Sequence, residues 1–217
     1  MCEMRSSTAG RKTSRSTAKP TRSQAAAEWA PSLTAIRVAG ETPAVLRALR
    51  RRDVEFGFDR VFVPSLIVDH TELVFRQAGR GGDEAFVIWA GTLADNDAHI
   101  STIVVPRSSF SPTHGEITAE TSGHVLTSLD ARDLVPILQL HTHPRSAFLS
   151  DTDAIRPIVA VSGFISVVIP DFGFVDLADV RLWSAHEFEG SRRWRELDVD
   201  ERQRRLIVDD SLIRVEW

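Results

Sequence analysis

The chain has 217 residues, of which 42% are hydrophobic and 26% charged. That length supports one well-buried domain and excludes two of ordinary size. Its single cysteine, Cys2, excludes an internal disulfide and a four-cysteine zinc module. No apolar run approaches the roughly 20 residues of a membrane span. The N-terminus lacks the apolar stretch of a signal peptide. The expectation is a cytoplasmic protein with no membrane partner.

The net charge of -4 hides an asymmetry. Residues 1–31 carry six basic and two acidic groups, so the rest of the chain is more acidic than the total suggests. An acidic body argues against nucleic acid as a partner, because phosphate recognition needs a basic face. Lys12 and Lys19 are the only lysines, and tyrosine is absent. A GC-rich genome would suppress both. Escape from a lysine-conjugating system would suppress lysine alone.

Residues 1–31 read as a disordered basic tail rich in Ser, Thr, Ala and Arg. Residues 32–60 read as an extension, with a strand over 32–39 and a helix over 41–52. The core pattern covers 61–217. It opens with a strand over 61–67, marked by Pro64. A helix over 67–78 follows, its apolar face carrying Ile67, Thr71, Val74, Phe75 and Ala78. After the Gly-rich break at 79–82, strands are expected over 84–93 and 98–105, with a turn at 95–97. Residues 106–117 read as a loop and 118–129 as a helix. A buried strand over 135–140 runs into His141. A helix starting at Ser150 must end or kink at Pro157. Strands over 165–169, 180–188 and 206–215 complete an α/β reading with a mixed sheet. The cluster Arg192, Arg193 and Arg195 reads as a solvated face.

The segment from His141 to Asp153, HTHPRSAFLSDTD, carries the chemistry. His141 and His143 end an apolar strand two residues apart, so both imidazoles project to one face. Pro144 then turns the chain away. Ser150 has the chemistry of a helix N-cap, and Asp153 falls in the first turn behind it. Folded back, Asp153 would add a carboxylate oxygen to two imidazole nitrogens. Three protein ligands with one position left for water is the arrangement of a catalytic zinc. Ser-x-x-Asp is also a variant of the capping box, and the two roles are compatible.

His-x-His-Pro followed by Ser-x-x-Asp resembles the JAMM signature of the JAB1/MPN metalloproteases. The resemblance covers most of 61–217. It implies a single JAB/MPN-like domain, with a mixed curved β-sheet flanked by helices in a cytidine-deaminase-like layout. It also implies one catalytic Zn2+ held by His141, His143 and Asp153, with Ser150 supporting the oxyanion. Pro144 and Ser150 are separated by one residue fewer than is usual in the eukaryotic deubiquitinases of the family. The spacing looks more like the prokaryotic JAB branch.

The family also uses an upstream glutamate as general base, in a segment running from a Gly-rich break through Glu and an apolar strand to Gly. The matching residues run from Gly82 to Gly91. Register favours Glu84 over Asp83, which would face the other way. The resemblance thus implies hydrolysis of an amide without an acyl-enzyme, so Cys2 is not needed. The implied substrates are the C-terminus of a ubiquitin-like or sulfur-carrier protein, an amide joining such a protein to a target, or a short peptide. A non-catalytic MPN scaffold is the alternative, but such relatives usually lose the ligands retained here. A RadC-like, DNA-associated role shares His-x-His-Pro, but the acidic body argues against it.

Overall fold

The computed structural model describes residues 57–106, 118–155 and 157–209, all within one compact unit, Thr42–Trp217. The tail, the strand at 32–39 and the helix at 41–52 lie outside the described residues. So does most of the loop at 106–117.

Strand β1 (Arg60–Pro64) is shorter than expected, because the next element starts at once. Pro64 keeps an extended backbone and serves as the N-cap of helix α1 (Ser65–Arg80). Residues 65–67 therefore belong to the helix. Ile67, Thr71 and Phe75 recur every fourth position and are buried, with Val74 and Ala78 packed at the margin of the core.

Strands β2 (Phe86–Ala94) and β3 (Asp97–Val104) form a hairpin. Asp95 and Asn96 turn it with φ of 50° and 66°, the left-handed pair that matches strand twist. The register slips at Gly91, where the backbone of His99 comes so close that any side chain would collide with it.

Helix α2 (Ala119–Asp130) is capped by Thr118, whose side chain accepts a hydrogen bond from the Thr121 N–H. Then come β4 (Val135–Thr142), the five-residue helix α3 (Asp151–Ile155) and β5 (Ile165–Ile169). The expected strand at 180–188 is half right. Val180–Leu182 is a 3-10 turn, because the Asp179 side chain accepts the Arg181 N–H and holds the chain curled. The strand proper is β6 (Ser184–Gly190). Two elements that sequence periodicity did not reveal follow: β7 (Arg193–Glu196) and helix α4 (Val199–Arg205). Strand β8 (Leu206–Asp209) is the described part of the expected last strand.

The eight strands among the described residues join one mixed sheet in the order β7-β6-β5-β4-β2-β3-β1-β8. This is the expected α/β domain with a mixed sheet. The sheet is curled. Arg205, the last residue of α4 just before edge strand β8, reaches across to Glu187 on β6 at 2.8 Å and to the Phe58 carbonyl at 3.2 Å. Arg195 on β7 bonds the other Glu187 oxygen at 2.6 Å and also binds Glu201. Arg195 is therefore a structural cross-link, not part of a solvated face.

Helix α1 covers the face that carries Trp89. The buried indole N–H donates to the Thr71 hydroxyl at 2.8 Å, and that hydroxyl donates to the Ile67 carbonyl at 2.8 Å. Trp183 meets Trp89 edge-on. The opposite face carries Gln139, which binds the chain after α3. No helix among the described residues is long and apolar enough to cross a membrane.

Two measurements check this account. Thr71→Val leaves the Trp89 N–H buried without an acceptor. Urea unfolding should show a loss of about 1–3 kcal/mol, the usual cost of such a group. For Glu187, burial pushes the carboxyl pKa up, but the hydrogen bonds from Arg205 and Arg195 prevail and hold it below the ordinary value. A carboxyl depressed in the folded state adds stability above its unfolded pKa of about 4.3 and loses it as pH falls through the lower folded value. Glu187→Gln should therefore destabilise the protein at neutral pH. Its unfolding midpoint should converge with that of the wild type as pH drops below 4.3 or so. A constant gap across that range would contradict this role of Glu187.

Candidate metal centre

The site is built at the end of β4, which lies inside the sheet between β2 and β5. Phe86 on β2 is paired with His141, and His141 with Val168 on β5. Thr142, between the two histidines, faces the opposite way and is fully buried. Its N–H donates to the Ala85 carbonyl and its hydroxyl accepts the Ala85 N–H, both at 2.9 Å. The His143 N–H donates to the Ile169 carbonyl at 2.9 Å. The backbone around both histidines is thus tied to strands on each side. The imidazoles sit on one face with ring centroids 5.0 Å apart. Phe86 stacks on His141, and the exposed ring of Phe148 lies edge-on to His143 at 4.9 Å.

Asp153 arrives from helix α3. That helix is too short to hold its own position by backbone hydrogen bonds. Long-range contacts pin it. The Trp194 indole N–H donates to the Ala154 carbonyl at 2.9 Å. The Ile158 N–H donates to the side-chain oxygen of buried Gln139 at 3.0 Å, and the Gln139 amide donates to Ser166. Ser150 and Asp153 close a capping box. The Ser150 N–H donates to Asp153 Oδ2 at 3.0 Å and the Asp153 N–H to the Ser150 hydroxyl at 3.3 Å. The Ser150 hydroxyl also donates to that same Oδ2 at 2.6 Å.

Asp153 Oδ2 lies 3.3 Å from His141 Nε2 and 3.5 Å from His143 Nε2. Burial pushes the Asp153 carboxyl pKa up, yet His141, His143 and the Ser150 hydroxyl outweigh burial and hold it far below the ordinary range. Both histidines are buried. His141 Nε2 is one of three buried side-chain polar atoms among the described residues that lack a hydrogen-bond partner. An unpartnered buried nitrogen is costly unless something else binds it.

These observations fit a metal ion. His141, His143 and Asp153 offer ligand atoms within 4.8 Å of one another, and they are a group among the described residues that could hold one. Two neutral imidazoles and a carboxylate are a suitable donor set for a borderline cation such as zinc.

Glu84 lies in extended chain just before β2 and is half-buried. The pairing of β2 with β4 begins at Phe86–His141, two residues beyond Glu84. Ser150 is beside the group, though its hydroxyl is engaged by Asp153. Sequence reasoning passed over the anchors Gln139 and Trp194. Their partners are distant in sequence, so no local spacing reveals them.

No family model matches the chain. It is similar to a protein of Sinorhizobium fredii named "Probable metalloprotease y4jG". The two are 26% identical over 143 residues, which cover 63% of this chain and 86% of that protein. Among solved structures, the fold is similar to protein DSY2949 from Desulfitobacterium hafniense. That match has a TM-score of 0.50 and 14% identity, covering 69% of this chain and 93% of the other. This second likeness concerns the fold alone.

The donor group predicts one bound divalent ion per chain in equilibrium dialysis. Asp153→Asn keeps the shape and removes the charge, so it should weaken that binding by more than about tenfold. Asp151→Asn, two residues away and exposed, should leave it unchanged.

Proposed function

We propose that the chain is a zinc-dependent peptidase or isopeptidase of the JAMM type. The observation that carries this reading is the convergence of His141 Nε2, His143 Nε2 and Asp153 Oδ2 on one point at the end of β4. The similarity to a protein named as a metalloprotease supports it. Zinc held by His141, His143 and Asp153 would supply Lewis acidity and bring the pKa of water towards neutrality.

The chain's own residues divide the remaining work. Glu84, just before β2, accepts a proton from the water that attacks the amide carbonyl. It returns that proton to the nitrogen as the C–N bond breaks. Ser150 has a second role available only if its hydroxyl turns from Asp153 towards the developing oxyanion. In the resting arrangement it orients Asp153 and caps α3. No nucleophilic side chain is required. The water oxygen ends on the new carboxylate, and the proton ends on the leaving amine.

Phe148, whose ring meets His143 edge-on, is exposed. It offers an apolar surface to a chain lying across the site. We propose as substrate an amide at the C-terminus of a ubiquitin-like or sulfur-carrier protein, because an extended tail can thread past such a surface while its globular part stays outside.

Amide cleavage in fluorogenic C-terminal fusions, assayed with zinc bound, tests the reading. Glu84→Gln should reduce kcat by about 100-fold or more while one zinc per chain remains bound. Ser150→Ala should lower kcat more than it weakens zinc binding. Full activity in Glu84→Gln would place the base elsewhere. A zinc-loaded wild type that cleaves no amide would favour a binding module.

A further inference from the structure

The segment after β5 is strained without an evident need of its own. Asp171, Phe172 and Gly173 have φ of 52°, 54° and 78° in succession. A bulky residue such as Phe172 rarely adopts left-handed backbone, and the surroundings must impose it. The imposed conformation leaves the Asp171 and Phe172 N–H groups free to bond outside the turn. Here the acceptors are carbonyls of the metal loop. The Phe172 N–H donates to the His143 carbonyl at 2.8 Å, and the Asp171 N–H donates to the Arg145 carbonyl at 3.0 Å. Those carbonyls flank Pro144, which has no N–H with which to anchor the loop itself.

The turn is in turn wedged against α1. A side chain at Gly79 would put its Cβ 2.6 Å from the Phe172 Cβ and 2.9 Å from the Phe174 ring. A Cβ at Gly173 would lie 2.6 Å from the Cβ of buried Phe75. Helix, turn and metal loop form one close-packed stack, with little slack at either junction.

We propose that the Asp171–Gly173 turn is a positioning strap. It fixes the backbone at His143 and thereby sets where His143 Nε2 is presented to a metal. Gly79, Phe172 and Gly173 are positioning residues. They govern metal affinity through the strap, although none is a ligand. The inference rests on the metal reading of His141, His143 and Asp153.

Gly79→Ala drives a Cβ into Phe172 and should weaken zinc binding by about tenfold or more, as loss of outer support does at metal sites. The affinity is read by competition with a chromophoric chelator. Adding Phe172→Gly removes the colliding Cβ and tolerates the left-handed backbone, so the double variant should recover part of the loss. Phe172→Gly alone frees the turn and should weaken zinc several-fold, which keeps the test open if Gly79→Ala does not fold. Gly123→Ala, at a helical glycine with open space around it, is the control and should change nothing. A fall in the thermal stability of the zinc-free protein, with zinc affinity unchanged in both Gly79→Ala and Phe172→Gly, would overturn the proposal and leave the turn as a brace of the fold. A wild type that binds no zinc would overturn the metal reading itself, and the strap's role with it.

Discussion

Thr142 is not a ligand, yet the site depends on it. It fills the fully buried position between two histidines and ties β4 to β2 through both its N–H and its hydroxyl. A strand slipped by one residue would turn every side chain to the other face. His141 and His143 would then point into the helix-covered core, and Thr142 would face the carboxylate. The pairing of β4 with β2 and β5 fixes the alternation before any metal binds. The imidazoles therefore share a face because the sheet register requires it. The ion would bind a preorganised pair.

The third donor obeys a different economy. Asp153 is an acid in a largely buried place, which by itself favours protonation. Two donors of Ser150, its N–H and its hydroxyl, meet one carboxylate oxygen, and the two imidazole Nε2 atoms lie 3.3 and 3.5 Å from it. The capping box and the metal reading are thus the same arrangement seen from two sides. The cap holds Oδ2 in place, and the held oxygen faces the histidines. If the Ser150 hydroxyl turns away, the Ser150 N–H still holds Oδ2.

This is why the site was legible in the sequence while much of its support was not. His141, His143, Ser150 and Asp153 lie within thirteen residues, so strand and helix periodicity brought them together on paper. The apolar runs of β2, β3, β4 and β5 were legible for the same reason. Helix α4 was not. Five of its seven residues are charged and its single buried residue is Arg202, which donates to the carbonyls of Val180, Leu197 and Arg181. No hydrophobic period marks a helix held by an arginine. The same blindness made Val180–Leu182 look like strand and Arg195 look solvated. Apolar content was visible, but a side-chain cap or a distant carboxylate was not.

These arginines also bear on the lysine-free body. Arg60 grips Asp97 through Nε and Nη2, and Arg181 grips Asp179 in the same way. Arg195 spans two glutamates with its two terminal nitrogens. Arg202 satisfies three carbonyls from one buried fork. Each task uses several donors held in a plane, which an ammonium group cannot reproduce. At these positions lysine would leave acceptors unmet, and at Arg202 it would leave them buried. Neither genome composition nor escape from conjugation is needed to explain arginine there. Those explanations compete only over exposed arginines such as Arg192 and Arg193, where the fold makes no such demand.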